Sequence, residues 1–351
     1  MYQSEVLFIL KKREDCQEIH SKIGLQTGLY NSASYMNDML LDSNINSNMV
    51  IVNDNNDIDR EVSKYKPRFV IIEALWVTPS KFSVLTQLHK DVTWIIRLHS
   101  EMPFLANEGI ALDWIGDYAG FNNVVIAANA PRALEDVRFF VKQKYNLSDN
   151  IVKDKVVYLP NFYPQDFKNK TLDKSKDTID VACFGAIRPL KNHIVQALAA
   201  VKFADKINKK LRFHINSGRI EMNGGPIVHN LQSLFIHLNK AGHELVNHEW
   251  TPREEFLELC GLMDIGMQSS FSETFNIVAA DLISQGVPVV GSSEIPWINN
   301  LFCGKPVETN EIYRAMLLTY ILPKINVRSN QIFLKSYTDK TRKIWVKFFK
   351  K

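Results

Sequence analysis

Short apolar runs alternate with amphipathic segments along most of the 351-residue chain. The runs are rich in Val, Ile and Phe and are bounded by polar or turn residues, which is typical of buried strands. Continuous apolar strands interleaved with helices predict parallel sheets covered on both faces. The predicted strands lie at 5–10, 49–52, 68–75, 93–98, 123–128 and 156–160, and then at 179–185, 211–217, 244–250, 264–270 and 288–292.

A polar interval divides the two series of strands. Residues 164–178, PQDFKNKTLDKSKDT, are charged and poor in large apolar side chains, which is linker composition. The chain is also too long for one ordinary α/β core, so two domains are expected. We predict an α/β protein with a Rossmann-like domain at 1–165, a second at 176–330, and a basic C-terminal helix at 331–351 that crosses back to the first domain.

Composition limits the class of protein without assigning a function. Apolar residues make up 46% of the chain and charged residues 23%, as in soluble globular proteins. No apolar run approaches the roughly 18 residues of a membrane-spanning helix, and the N-terminus is typical of a strand rather than a signal peptide. The four cysteines are far apart, so we expect reduced thiols and a cytoplasmic protein. The net charge of +4 permits a nucleic-acid or acidic-membrane partner without requiring one.

Two segments in the N-terminal half lie where a ligand could bind. Gly24 and Gly28 follow the first predicted strand and precede a helix expected to begin around residues 32–34, an arrangement that can hold a phosphate or a sugar. An ordinary strand-to-helix turn would use the same residues. His99 follows the strand at 93–98, at the carboxyl end where open α/β sheets place their ligands, although a lone histidine is more often structural.

A third segment, FGAIRPLKNH (184–193), connects a predicted strand to a helix. Arg188 and Lys191 would place two cations beside a helix N-terminus. Cationic side chains, backbone N–H groups and the helix dipole together favour a diphosphate. Two solvated surface cations are the alternative interpretation.

The fourth segment contains two carboxylates in apolar surroundings, within SETFNIVAADLISQG. Glu273 lies in the loop before a predicted helix that Gly286 ends, and Asp281 lies on the second turn of that helix. Eight residues of helix span about 12 Å, roughly the reach from the sugar ring of a nucleotide-diphosphate sugar to its ribose. Carboxylates accept paired hydrogen bonds from vicinal hydroxyls. The alternative interpretation is two solvated acids on a surface helix, and it fits less well because the flanking residues are apolar.

These motifs resemble those of one enzyme family. ETFNIVAAD is similar to the E-x7-E motif of retaining glycosyltransferases with the GT-B fold, in particular the GT4-like family, and FGAIRPLKNH is similar to the family's G-R-x-x-x-K-N phosphate segment. YLPNFYPQDF (158–167) and SQGVPVVGSSEIPW (284–297) resemble its interdomain segment and the continuation after the E-x7-E helix. The four matches follow the family order, whereas the N-terminal half matches only in layout.

The resemblance implies two Rossmann-like domains facing across a cleft and a sugar transfer with retention that needs no metal or cofactor beyond the nucleotide-sugar donor. Glu273 would bind hydroxyls of the donor sugar, and Asp281 would bind the nucleotide ribose. The further implied roles are backbone contacts to the sugar and β-phosphate from Thr274, Phe275 and Asn276, neutralisation of the leaving diphosphate by Arg188 and Lys191, and a facing wall formed by His99 and the Gly24–Gly28 loop.

Three positions depart from the family pattern. Asp281 is one methylene shorter than the usual glutamate, which puts the ribose contact in doubt. Thr274 and Asn276 replace glycines, a change that would narrow the sugar pocket. Phe162 replaces the glycine of the family's P-N-G segment.

Parts of the sequence also suggest other classes of protein. A metalloprotease is set aside, because His243 and His248 are five residues apart in a predicted strand instead of four apart on a helix. The D-x-D at Asp57 and Asp59 falls in a polar segment, 53–59, that we predict to be an exposed loop, so no metal site is expected. A sugar-nucleotide epimerase of the same fold and a non-catalytic nucleotide-sugar-binding module stay open.

The acceptor is predicted from the C-terminal tail. Residues 334–351 carry seven cations against one acid, with Trp345, Phe348 and Phe349 interleaved, a composition found at nucleic-acid and anionic-membrane surfaces. A helix anchored to the N-terminal domain by its aromatic residues would give the same pattern. The N-terminal half is loosely similar to bacteriophage-encoded glycosyltransferases. We therefore predict a hydroxymethylated pyrimidine in DNA as acceptor, in a host cytoplasm, ahead of a cell-surface glycan or lipid-linked sugar.

Overall fold

The structure, a computed structural model, describes residues 4–12 and 28–350. These residues form two compact units. The first lies within Met1–Pro164 and also includes Thr338–Lys351, and the second is Gln165–Tyr337. Each unit is built on one parallel sheet with helices between its strands.

The sheet of the first unit has six strands in the order β2-β1-β3-β4-β5-β6, all parallel. The strands are β1 Ser4–Lys11, β2 Ser47–Val52, β3 Pro67–Glu73, β4 Thr93–Leu98, β5 Val124–Ala128 and β6 Val156–Tyr158. The helices are α1 Gly28–Leu41, α2 Asp57–Tyr65, α3 Pro79–Leu88, α4 Met102–Leu105, α5 Ala111–Ala119, α6 Pro131–Tyr145 and α7 Asp149–Lys155. Strand order reverses at β1, and open α/β sheets bind ligands at the carboxyl ends of strands near such a reversal.

The sheet of the second unit has five parallel strands in the order β11-β10-β7-β8-β9. The strands are β7 Thr178–Ala182, β8 Lys210–Asn216, β9 Glu244–His248, β10 Ile265–Gln268 and β11 Val289–Gly291. The helices are α8 His193–Lys206, α9 Gly225–Leu238, α10 Arg253–Leu262, α11 Ile277–Ser284, α12 Thr309–Ile321 and α13 Pro323–Phe349.

Apolar side chains cover both faces of the first sheet, as unbroken apolar strands require. On one face Phe82 packs edge-on against Trp94 and Tyr118, with ring centroids 5.6 and 5.4 Å apart. On the other face Phe8 stacks on Trp345 at 6.2 Å. The C-terminal residues of the chain are therefore part of this core.

The aromatic residues of the tail are packing residues of the first unit. Trp345 and Phe349 on α13 are fully buried, and Trp345 Nε1 donates a hydrogen bond of 2.8 Å to the Pro160 carbonyl. The lysines of the same stretch, among them Lys343 and Lys347, stay exposed. Anchoring to the first unit thus accounts for the aromatic residues of the tail, whereas the lysines of the tail face solvent.

Gly286 ends α11 as predicted from the sequence. Its φ of +78° lies in the left-handed region that favours glycine. A Cβ at this position would also meet Lys170 N at 2.7 Å and Lys168 O at 2.9 Å, both backbone atoms. The turn that leads from α11 into β11 therefore requires glycine.

The eleven predicted strands are all present, with ends displaced by at most three residues. The largest displacement is at the carboxyl end of β7, where the strand gives way to a loop. One loop prediction is wrong: Asp57 and Asp59 lie in the first turn of α2, where Asp57 pairs with Arg60 and Asp59 with His89. Acidic residues are favoured there by the helix dipole. Within the described residues, no helix is both long and apolar enough to cross a bilayer.

Candidate functional site

Two loops of the second unit meet at the carboxyl edge of its sheet. The loop after β7 carries Arg188 and Lys191, and the loop after β10 carries Glu273. Strands β7 and β10 are direct neighbours and parallel, so the loops that follow them leave the same edge side by side. The sequence placed these residues in separate motifs, and the sheet order brings them together.

Lys191 and Glu273 form an ion pair. Lys191 Nζ lies 2.5 Å from Glu273 Oε1, and both side chains are nearly buried. Asn276 Nδ2 donates to the same oxygen at 3.0 Å. The second oxygen, Oε2, has no hydrogen-bond partner among the described residues. One carboxylate oxygen is thus held by the protein, and the other can accept hydrogen bonds from a ligand.

Asn276 fixes the geometry between Glu273 and helix α11. It is the N-cap of α11 with φ 61° and ψ 83°, and its Oδ1 accepts a hydrogen bond of 2.9 Å from Ala279 N. Its Nδ2 also donates to Gln268 Oε1 at 3.0 Å. Asparagine tolerates the left-handed conformation better than most residues. This explains how Asn276 can occupy a position where the resembling family usually has glycine.

Thr274 and Phe275 lie in the same loop and are nearly buried. The Phe275 ring packs against Trp297 at 5.9 Å, and the Phe275 carbonyl accepts a 2.7 Å hydrogen bond from Trp297 Nε1. These contacts hold the backbone that leads into α11. That the backbone of Thr274 and Phe275 approaches a sugar and β-phosphate stays a prediction.

Arg188 is tied to the loop after β8. Its Nη1 donates to Glu221 Oε2 at 3.3 Å, and Glu221 also pairs with Arg219. Two arginines therefore share one carboxylate in the loops that follow β7 and β8. Gly185, at φ +112°, begins this loop and donates its N–H to Asn216 Oδ1 at 3.1 Å.

Asp281 lies on the second turn of α11, as predicted, and is buried. Arg253, the first residue of α10, binds both of its oxygens: Nη1 donates to Oδ2 at 2.6 Å and Nη2 donates to Oδ1. The predicted ribose contact of Asp281 stays a prediction. Sequence reasoning missed Arg253, whose signal was an arginine at the first position of a helix after Pro252.

A second charged cluster lies in the first unit, at the ends of β3 and β4. Glu73 and Arg97 are register partners across these strands and are both fully buried. Arg97 Nη1 lies 3.0 and 3.2 Å from the two Glu73 oxygens, and His99 Nε2 contacts Glu73 Oε2. The sequence singled out His99 by its position alone, and the structure adds the ion pair behind it.

The electrostatics of this cluster favour an ionised Glu73 and a neutral His99. Burial lowers the pKa of His99, Glu73 opposes this effect, and Arg97 adds to it. Burial alone would raise the pKa of Glu73, but the charge of Arg97, with help from His99, holds it below its ordinary value. Because a carboxylate only accepts hydrogen bonds, the neutral His99 carries its proton on Nε2 and a lone pair on Nδ1.

The predicted glycine loop is only partly described. Gly24 lies outside the described residues. Gly28 is the first residue of α1, so the prediction that this helix begins around 32–34 is wrong. Ser32, where the helix was expected to begin, is buried within it, because Met36, Met39 and Leu40 continue an apolar face that begins at Leu29.

In the described part of the chain, no group of three or more His, Cys, Asp or Glu side chains is arranged to hold a metal ion.

Comparison with known proteins identifies the fold. No family model and no curated protein matches the chain. Solved structures do match over nearly the whole length. A trehalose-phosphate synthase (UDP-forming) from Burkholderia vietnamiensis has a TM-score of 0.72 at 9% identity, covering 100% of this chain and 98% of its own. The sucrose-phosphate synthase of Thermosynechococcus elongatus has a TM-score of 0.66 at 12% identity, with 99% and 98% covered. Anabaena HepE, in complex with UDP and glucose, has a TM-score of 0.63 at 12% identity, with 96% and 95% covered.

The chain therefore has the GT-B fold of glycosyltransferases, as the sequence predicted. At identities of 9–12% the likeness establishes the fold, and the activity has to be argued from the residues of the site.

Proposed function

We propose that the protein is a retaining, GT4-like glycosyltransferase that moves a sugar from a nucleotide-diphosphate sugar to a hydroxyl acceptor. Glu273 carries this proposal. It is a nearly buried carboxylate at the carboxyl edge of the second sheet, held through Oε1 by Lys191 and Asn276. Its Oε2 is left to accept a hydrogen bond from a donor-sugar hydroxyl, beside the N-terminus of α11.

The cations of the neighbouring loop suit the leaving group. Departure of a nucleoside diphosphate concentrates negative charge on its β-phosphate, and preorganised donors that meet this charge lower the barrier. Arg188 and Lys191 supply positive charge there, and the N-terminus of α11 adds its dipole. Retention would follow a front-face attack, which needs no covalent carboxylate nucleophile. His99 and the Gly24–Gly28 segment are proposed to line the acceptor side.

The names of two matched proteins guide the choice of donor. One synthase is UDP-forming, and HepE was solved with UDP and glucose. UDP-glucose is therefore the first donor to test. Within the proposal, Asp281 and Arg253 together form the ribose end of the site.

The acceptor is proposed to be a hydroxymethylated pyrimidine in DNA. Support comes from charge alone, since Trp345 and Phe349 are buried in the first unit and Phe348 packs half-buried against the same core. Lys340, Lys343 and Lys347 form an exposed row along α13, and the exposed Lys350 follows the end of the helix; these cations could contact phosphates. A cell-surface glycan or a lipid-linked sugar is the alternative acceptor.

A donor screen with site variants tests the proposal. Titration calorimetry with a panel of nucleotide sugars should show binding of at least one, and loss of a charged hydrogen bond in Glu273→Ala should weaken it by about 1.5–3 kcal/mol, roughly 10- to 150-fold. Lys305→Met, which removes an exposed lysine paired with Glu311, is the matched control and should bind normally. Failure of every nucleotide sugar to bind would refute the proposal.

Product analysis separates the competing activities. A transferase releases nucleoside diphosphate and glycosylates an added acceptor, an epimerase returns an isomerised nucleotide sugar, and a binding module changes neither. Mass spectrometry of nucleosides from DNA containing 5-hydroxymethylcytosine tests the first acceptor. Transfer to a glycan or lipid-linked sugar, with none to DNA, would replace that acceptor by the alternative.

A further inference from the structure

A cavity of about 340 Å³ lies in the second unit at the amino ends of its strands. It is formed by Lys170, Thr171, Leu172 and Lys174, by the segment just before β11, and by the junction of α12 and α13. Lys170 shows that the cavity lies at the amino end of β10, because Lys170 Nζ donates a 2.6 Å hydrogen bond to the Met263 carbonyl just before that strand. Glu273 lies at the opposite, carboxyl edge of the sheet, so the cavity is separate from the candidate donor site.

The cavity combines apolar walls with cations. Leu172, Leu322 and Ile325 line it, together with Lys170, Lys174 and Lys324. Burial lowers the pKa of Lys170, while the nearby Asp264 opposes this effect. An apolar space with lysines around it fits a ligand that has both an acyl portion and a negative charge.

Large isoleucines are exposed at the cavity and farther along α13. Ile321, Ile325 and Ile332 are 63%, 51% and 56% exposed. Ile325 and Ile332 are two helical turns apart on α13, so they lie on one face of the helix. Contiguous exposed apolar side chains usually mark a surface that contacts a protein or a membrane.

The charge around these isoleucines is strongly positive. Residues 323–338 contain Lys324, Arg328 and Lys335 and neither Asp nor Glu. The adjoining segment 168–176 has four lysines, of which Lys176 pairs with Asp264 at 3.6 Å, against Asp173, whose carboxylate accepts hydrogen bonds from Ser175. The remaining excess of positive charge favours a negatively charged partner.

We propose that this basic–apolar face, composed of Lys170, Lys174, Lys324, Arg328, Ile321 and Ile325, binds an anionic lipid surface. Exposed isoleucines between cations can enter the boundary between headgroups and acyl chains while the cations meet lipid phosphates. Nucleic acid is disfavoured here, because contacts to its phosphates need only the cations and give the exposed isoleucines no role. The proposal does not depend on sugar transfer.

Vesicle cosedimentation of the full chain tests the proposal. Wild-type protein should bind vesicles that contain phosphatidylglycerol and not vesicles of phosphatidylcholine alone, and added salt should weaken binding because exposed charges are screened. The double variant Lys324→Glu/Arg328→Glu should lower the vesicle partition coefficient roughly tenfold or more. Ile325→Asp should lower it as well, because it places a carboxylate among the inserting side chains.

Ile236→Asp is the matched control. Ile236 is 71% exposed on α9, which contacts β9 at the far edge of the sheet from β11. This variant should bind vesicles like wild type, and circular dichroism should show all variants folded. Equal binding by Ile325→Asp and wild type, or binding of duplex DNA with none to anionic vesicles, would overturn the proposal.

Discussion

Removing the ammonium group of Lys191 tests how the candidate site holds Glu273. In Lys191→Met the carboxylate keeps Asn276 as its remaining hydrogen-bond donor among the described residues. The two side chains are only 11% and 7% exposed. Loss of one partner from a buried ion pair costs about 3–5 kcal/mol because the other charge is left uncompensated. Because both side chains keep slight exposure, we expect a loss near the lower end of this range. The free energy of unfolding in urea should fall by about 3 kcal/mol.

The control for this measurement is an ion pair of similar composition at the surface. Lys305 and Glu311 lie 3.2 Å apart with side chains 70% and 35% exposed. Exposed pairs contribute only about 0–1 kcal/mol, so Lys305→Met should change stability little. The double variant Lys191→Met/Glu273→Leu should recover part of the loss, since it removes both charges. The reasoning is refuted if Lys191→Met and Lys305→Met have equal stability.

The same variant distinguishes a structural pair from a binding pair. If Lys191 also neutralises the leaving diphosphate, Lys191→Met should weaken donor binding in addition to destabilising the fold. A stability loss with unchanged donor affinity would leave Lys191 as a structural partner of Glu273 and remove it from the proposed mechanism.

Of three further predictions, two concern buried charges and the third concerns a buried imidazole ring. Glu73→Gln should lower the free energy of unfolding in urea by about 3–5 kcal/mol, because it leaves fully buried Arg97 without its counter-ion. In the same variant, NMR titration should show the pKa of His99 lowered further, since Glu73 opposes the effect of burial. Asp281→Asn should lower the free energy of unfolding by about 3 kcal/mol, because it leaves Arg253 without its counter-ion. Stability equal to wild type would contradict the ion pair. Burial lowers the pKa of His193 to about 3, with smaller effects from Lys191 and Arg188, and neither ring nitrogen has a hydrogen-bond partner among the described residues. The unfolded chain binds a proton below about pH 6.5 that the folded chain does not, so stability falls on acidification toward pH 3 by up to about 1.4 kcal/mol per pH unit. His193→Leu should flatten this slope in unfolding experiments across that range, and an unchanged slope would contradict the assignment.

The sheets were predictable because strand formation here depends on local apolar runs. Segments such as TWIIRL and RFVIIE are buried on both faces, so their composition alone marks them as central strands. The carboxyl ends of three predicted strands then located the candidate residues: His99 after β4, Arg188 and Lys191 after β7, and Glu273 after β10. The beginning of α1 was harder to predict, since serines suit both a cap and a helix interior packed by neighbouring methionines.

Partners of the charged residues could not be predicted, because they depend on which strands become neighbours. Glu73 and Arg97 are 24 residues apart in sequence and meet only through the register of β3 and β4. Arg253 and Asp281 are 28 apart and meet through helices α10 and α11. A charged residue inside an apolar strand signals a buried ion pair, but the sequence does not identify its partner.

The two carboxylates of the E-x7-E-like segment are used differently by the fold. Glu273 shares one oxygen with Lys191 and Asn276, and the other has no partner among the described residues, which suits a group that binds a substrate hydroxyl. Asp281 is more deeply buried, with both oxygens bound by Arg253. Aspartate is one methylene shorter than the glutamate usual at this position, and Arg253 already binds both of its oxygens, so a ribose would have to share Asp281 with this guanidinium. If donor affinity survives in Asp281→Asn while stability falls, the ribose contact belongs to another residue, and Glu273 remains the sole carboxylate of this segment that recognises the donor.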